Sequence, residues 1–217
     1  MSGIMLNVVG GTYKDPAPSA IGVAFGGGFY AGEIGVSSVA THYLVVGPVA
    51  SAQNTSKQYK NAATSTPGAD SVINGPQNTV DMVADGNSTV YPAAHFCNDL
   101  VIGGFTDWYM PAKNELEVCY YNLKPTTTSN NTGAGINANA VPARASNYTA
   151  GTPAQTSVTA FQSPSGAERF NAAGYWSSTG NSGAGTAQLP YFSSGAQYTG
   201  QPKTSSYSVR AVRRVAV

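Results

Sequence analysis

The spacing of apolar residues changes period along the chain, and each change predicts a different element. Ile21, Val23 and Phe25 alternate with small residues, and the run His42-Tyr43-Leu44-Val45-Val46 is strongly strand-forming until Gly47-Pro48 ends it. These two β-rich runs flank a turn near residues 35–38. Gly26, Gly27, Gly28 and Ala31 resemble a dinucleotide fingerprint only on the surface, because no helix follows and no acidic residue stands at the required distance. A glycine bulge within a strand accounts for them. Ahead of these runs, residues 1–20 read as an irregular leader in which "DPAPSA" forms a stiff, non-helical joint.

From residue 92 the period becomes helical. Ala93, Phe96, Cys97, Leu100 and Val101 fall at i, i+3, i+4, i+7 and i+8, with Pro92 at the opening and Gly103-Gly104 at the close. A second stripe, Ala112, Leu116, Cys119, Tyr120 and Leu123, stops at Pro125. Glu115 stands where its carboxylate reaches back to the Ala112 amide, half of a capping box whose other half alanine cannot supply.

The remaining stretches are polar. Residues 51–90 carry the turn signals "TPGAD" and "NGPQN" and one short helix or strand around "NTVDMVA". Residues 126–165 are small, polar and Pro-punctuated, with a short strand at "SVTAFQS". The last block predicts strands at residues 175–178, around 189–192 and at 207–215, with Ser194-Gly195 as a hairpin turn. Strands surrounding two central helices make an α+β fold.

Composition sharpens this picture. Charged residues are 10% of the 217, against roughly 25% in ordinary soluble domains, so solubility rests on Ser, Thr, Asn, Gln and Gly. The net charge is +1 and the basic residues cluster only at Arg210, Arg213 and Arg214. Neither a nucleic-acid partner nor insertion into a membrane is expected. The first residues lack the basic start and apolar run of a signal peptide. The two cysteines, Cys97 and Cys119, lie on helix stripes and read as buried free thiols, in keeping with assembly in a reducing cytosol.

Catalytic chemistry is thinly supplied. His42 lies in an apolar strand and reads as packed at the sheet surface, whereas His95 falls between apolar helix positions and reads as solvent- or interface-facing. Glu115 and Glu117 are two apart, on different faces of their helix. "DGNST" begins like a calcium loop but lacks the closing glutamate. No Gly-x-Ser-x-Gly, His-Glu-x-x-His or Cys-x-x-Cys is present. The expectation is a non-enzymatic chain with no cofactor and no metal.

A binding surface fits the residues better. Gln188, Tyr191, Gln197, Tyr198, Gln201, Lys203 and Tyr207 concentrate in the last block. Tyrosine provides rigid amphipathic contact area, and amides provide adaptable hydrogen bonds. Neutral polar groups beside aromatic faces also suit sugars. The plainer reading of any one of these tyrosines is a half-buried sheet residue.

The pieces "AAHFCNDLVIGGFTDWYMPAKNELEVCYYNL", "YWSST" and "YSVRAVRRV", in that order, resemble the C-terminal domain of Lcl-type collagen-like adhesins, found in bacterial surface proteins and phage tail proteins. The resemblance spans roughly residues 91–215 with a polar insertion. It implies a C-type-lectin-like fold of two helices, small antiparallel sheets and long loops, occupying residues 51–217 behind a β-rich attachment or oligomerisation element at 1–50. By position, Trp108 and Trp176 would be packing anchors, and Asp107, Glu115, Arg210 and Arg213 braces between helices, loop and last strand. Two positions depart from the family pattern: Ala211 stands where a cysteine is common, leaving Cys97 without its implied partner, and Ala112 replaces the usual Ser or Thr after the motif proline. Relatives of the fold include formylglycine-generating enzymes, but those would want a reactive cysteine in the late loops. The implied role is a virion surface protein, such as a phage tail fibre or receptor-binding component, made in the host cytoplasm. It would adhere to a host glycan or protein receptor, contact other virion proteins, and form a homo-oligomer, with a trimer natural at a fibre tip. The alternatives are a capsid decoration or tail structural subunit, and a location on the bacterial cell surface.

Overall fold

The computed structural model describes residues 17–181 and 184–217; most of the leader expected at 1–20 lies outside them. Its elements run β1 (Ala24–Phe25), β2 (Gly28–Val36), β3 (Val39–Val46), α1 (Val49–Ala52), β4 (Gln53–Gln58), α2 (Gly75–Asp85), α3 (Pro92–Asn98), α4 (Lys113–Leu123), a 3₁₀ turn (Thr159–Phe161), β5 (Thr186–Pro190), β6 (Gln197–Pro202), β7 (Ser206–Arg210) and β8 (Val212–Ala216). The fold is α+β, with four helices among the described residues and small antiparallel sheets. One sheet has the order β1-β2-β3-β8, and two ribbons pair β4 with β7 and β5 with β6.

The N-terminal strands are built by turn chemistry. Gly26 and Gly27, with φ of 54° and 82°, form the two-residue turn joining β1 to β2, so the glycine run is a hairpin tip rather than a bulge. A Cβ on Gly27 would lie 2.7 Å from the Phe105 ring. Ser37 and Ser38 take φ of 51° and 64° and make the equivalent tight turn between β2 and β3. The last strand, β8, pairs with β3 in register from His42–Ala216 to Val46–Val212, so the sheet joins residues 24–46 to the C-terminal end.

Helix α4 lays Leu116, Cys119, Tyr120 and Leu123 into the core facing Ala31, Ile34 and Leu44 of the sheet, with Phe161, Phe170, Tyr175 and Phe192 closing it from the loops. A second core gathers Trp108, Trp176, Tyr59, Tyr91, Met82 and Cys97 between α2, α3 and the two ribbons. Helix α2 occupies the expected "NTVDMVA" position and opens with the Asn74 side chain accepting from the Gln77 amide. Helix α3 ends at Asn98, earlier than its apolar stripe predicts, and Val101 beyond it is 69% exposed.

Other elements depart from their sequence patterns. "SVTAFQS" forms a 3₁₀ turn, not a strand, with Phe161 driven into the core. Residues 175–178 form no continuous strand, because their amides turn to separate segments: Tyr175 to Pro190 O (3.0 Å) and Ser177 to Gln188 O (3.1 Å) on β5, Trp176 to Ser208 O (2.8 Å) on β7, and Ser178 to Pro111 O (2.8 Å). The strand expected around 189–192 lies at Thr186–Pro190, and that expected at 207–215 is split into β7 and β8 at Ala211. Residues 126–157 contain no helix or strand and are held by side chains instead. Asn130 donates to Thr149 O (3.1 Å) and Pro153 O (2.8 Å) and accepts from the Tyr120 hydroxyl (2.6 Å), while Lys124 donates to Thr128 O (2.6 Å). Buried loop backbone is satisfied this way where no ladder is available.

Candidate functional site

The charged residues are used for internal bracing. Arg213 on β8 forms a fork with Asp107, Nε to Oδ1 at 2.7 Å and Nη2 to Oδ2 at 2.9 Å, while its guanidinium stacks 3.8 Å from the Phe105 ring. The Asp107 side chain itself is 53% exposed, so only the arginine half of this fork is buried. Arg214, its neighbour on the opposite face of the strand, donates Nε to Glu115 Oε1 at 2.7 Å and bonds to Ile73 O. Glu115 is fully buried and also accepts from the Ala112 amide at 2.7 Å and from the Tyr109 hydroxyl. Burial pushes its carboxyl up, and Arg214, Tyr109 and the Ala112 amide pull it back down. The close fit needs Gly75, where a Cβ would come within 2.3 Å of Glu115 Oε2.

Arg210 on β7 is fully buried and binds Gly47 O (2.9 Å), Glu168 O (2.8 Å) and Glu168 Oε2 (3.1 Å). The C-terminal basic cluster is therefore spread over three acids, one per arginine, and forms no open cationic stripe. Trp176 is buried, donates its indole N–H to Lys57 O at 2.9 Å and meets Tyr59 and Tyr207 edge-on, while Trp108 is 2% exposed in the same core.

Arg144 and Glu168 carried no signal in the sequence, and Glu117 was noted only beside Glu115, yet the three complete this frame. Glu117 is 1% exposed and accepts from Asn137 Nδ2 (2.5 Å), the Tyr148 hydroxyl (2.6 Å) and Arg144, tying α4 to the irregular segment. Only the close sequence spacing of Glu115 and Glu117 hinted at it.

The neutral residues of the last block lie at a different surface. Tyr198 on β6 is 47% exposed and meets Tyr191 edge-on at 5.1 Å; Tyr191 in turn approaches Tyr207 at 6.4 Å, and Tyr207 lies against Trp176. The Tyr207 hydroxyl donates to Gln201 Oε1 at 2.9 Å, and Gln188 and Gln197 are half-buried on the same β5–β6 ribbon. The ribbon closes through the Gly195 amide, which donates to Tyr191 O at 2.7 Å with Gly195 at φ 70°. The result is a row of aromatic edges rooted on a buried tryptophan and fringed by amides.

Lys203 does not belong to that row. It is fully buried, and its ammonium donates to Thr64 O (3.0 Å), Thr66 Oγ1 (3.0 Å) and Ala184 O (2.8 Å). The lysine stem carries the charge inward, which the local sequence does not reveal. Burial, aided by nearby Lys60, lowers its pKa to about 8. The folded protein therefore favours the neutral amine more than the unfolded chain does. Stability contributed here is lowest below pH 8 and is gained as pH rises from there toward the ordinary lysine range. Thermal melts of the wild type and Lys203→Met between pH 7 and 10 should show the wild type gaining on the variant as pH rises; parallel curves would contradict this.

Groups that could support catalysis are otherwise engaged. Cys97 and Cys119 are free and buried, and burial raises both thiols. His95 is partly exposed, and its Nε2 lies 2.8 Å from Gly86 O, linking α3 to the end of α2. His42 is half-exposed on β3 beside the Thr41 hydroxyl at 3.0 Å. Asp85 of "DGNST" accepts from the Tyr91 hydroxyl at 2.5 Å. Among the described residues, no group of three His, Cys, Asp or Glu side chains is placed to hold a metal ion, and no helix is long and apolar enough to cross a membrane.

Fold and surface together define an α+β scaffold braced by internal ion pairs and bearing a neutral, tyrosine-edged ribbon. Residues 53–213 match the Lcl C-terminal domain, and the chain belongs to that family. No curated protein and no solved structure matches it.

Proposed function

We propose that the protein is a non-enzymatic, adhesin-like binding module with a C-type-lectin-like frame. It serves as a receptor-binding component of a phage tail or, alternatively, of a bacterial cell surface. The observation that carries this reading is the row Tyr198, Tyr191 and Tyr207, backed by Trp176 and edged by Gln201. A rigid row of aromatic edges loses little entropy on binding, and neutral amides beside it match either a glycan or a polar protein surface. Membership of the Lcl C-terminal domain family supports an adhesive role over an enzymatic one. The buried, protonated thiols and the ion-paired glutamates support it too.

Tyr198→Ala tests the reading. Its ring is partly exposed, so the change in stability should stay within about 0.5 kcal/mol. Binding of the labelled chain to bacterial envelopes and glycan arrays should fall about tenfold or more, as for an interface tyrosine. Undiminished binding would discard this row as the contact surface.

A second reading, a capsid decoration or tail structural subunit, draws on the β2–β3 hairpin tip. Val36 and Val39 there are 60% and 67% exposed, an apolar pair suited to a protein neighbour. Retention of the chain by assembled particles alone, with no binding to cells or glycans, would select it.

A further inference from the structure

Three recesses open around one side chain of α4 that the tyrosine row does not use. The first, of about 260 Å³, lies between Tyr121, Arg144, Asn147, Tyr148 and Thr152. The second, of about 380 Å³, shares Tyr121 and Thr152 with it and extends to Ile21 and Ser157. The third, of about 180 Å³, shares Tyr121 and Arg144 with the first and is bounded by Glu33 and Pro142. Tyr121 is the wall common to all three, so they form one branched groove between α4, the N-terminal strands and the irregular segment.

The groove is held open by groups already committed elsewhere. Arg144 stacks 4.1 Å from the Tyr121 ring while its charge is met by buried Glu117. Asn122 donates to Ala31 O at 2.8 Å, and Tyr148 leans toward Tyr121 at 6.3 Å and donates its hydroxyl to Glu117 at 2.6 Å. The aromatic wall is thus fixed before any ligand arrives.

The lining chemistry narrows the occupant. With Arg144 neutralised by Glu117, Glu33 is the remaining charged residue lining the groove, which disfavours an anion. Asn147, Thr149, Thr152, Thr156 and Ser157 set hydroxyls and amides among apolar wall residues such as Ile21, Tyr121 and Val158, a mixed lining that suits the C–H faces and hydroxyls of a sugar. The smallest recess has room for about six waters at about 30 Å³ each, the bulk of one sugar ring. We propose that this groove binds a short neutral oligosaccharide. Its rings would pack against Tyr121 and its hydroxyls bond to the Asn, Ser and Thr groups of the wall. The site shares no residue with the tyrosine row, so each stands or falls on its own test.

The test is a titration of the isotopically labelled full chain with maltotriose, cellotriose and N,N′,N″-triacetylchitotriose, followed by NMR. At least one should shift the signals of Tyr121, Asn122, Arg144 and Thr152 in a saturable way, with a Kd on the order of 1 mM. Thr152→Trp adds bulk at an exposed position lining two of the recesses and should weaken binding about tenfold with the fold intact, whereas Val101→Ser, at an exposed position outside all three recesses, should bind as the wild type does. The proposal is overturned if no neutral trisaccharide shifts those signals up to about 20 mM, if a sulfated saccharide alone does so, or if Thr152→Trp binds unchanged.

Discussion

Arg210→Ala is expected to cost about 3–5 kcal/mol, a large share of the roughly 5–15 kcal/mol that holds an ordinary domain folded. Arg210 is fully buried, and its loss strands two carbonyls and a carboxylate: Gly47 O, Glu168 O and Glu168 Oε2. It also removes the cation stacked 4.8 Å from the Phe170 ring. Burial lowers the guanidinium pKa to about 10, still well above neutral, so the charge is present and must be matched. Arg210→Lys should not restore the lost stability, because one ammonium cannot reach acceptors arranged for a planar fork. Glu168→Gln is the milder probe. It removes the charge while keeping an oxygen for the Val49 amide, now bonded at 2.8 Å, and should cost about 1–3 kcal/mol. Denaturant unfolding of the two variants checks the order. An Arg210→Ala protein as stable as the wild type would remove the brace from the account.

The second large effect is at the tryptophans. Trp176→Ala and Trp108→Ala should each cost about 3–5 kcal/mol by leaving a cavity in a packed core. Substitution by phenylalanine separates them. Trp176 donates to Lys57 O, whereas the Trp108 indole N–H makes no hydrogen bond among the described residues. Trp176→Phe therefore loses area and leaves the Lys57 carbonyl unpaired, and Trp108→Phe loses area alone. The first should be less stable than the second by about 1 kcal/mol. Equal melting temperatures for the two phenylalanine variants would contradict the assignment of that bond.

What the sequence made legible follows from where its information is local. Helices α3 and α4 could be read because Pro92, the apolar stripes and Pro125 act within a few residues. The β2–β3 strands and the β5–β6 turn at Gly195 were readable for the same reason. Strand β4, "QNTSKQ", has no apolar pattern at all; it is a strand only because Gln53, Asn54, Lys57 and Gln58 pair with β7 far along the chain. The partners of the arginines were equally hidden. Arg210–Glu168, Arg214–Glu115 and Arg213–Asp107 are 42, 99 and 106 residues apart, and no local pattern encodes such closures. Lys203 was misjudged because a polar residue in a tyrosine-rich ribbon looks exposed until its stem is seen to turn inward. The Tyr121 groove was invisible because its walls come from segments as distant as Ile21 and Ser157.

Internal charge holds this molecule's shape, and in the function proposed above uncharged tips meet what it binds. The most direct measurement pairs melting temperature with envelope or glycan binding for Glu168→Gln and Tyr198→Ala. Glu168→Gln should melt lower and, below its transition, bind like the wild type, while Tyr198→Ala should melt like the wild type and bind poorly. The reverse pattern, with attachment lost on neutralising Glu168 and kept without the Tyr198 ring, would contradict the account.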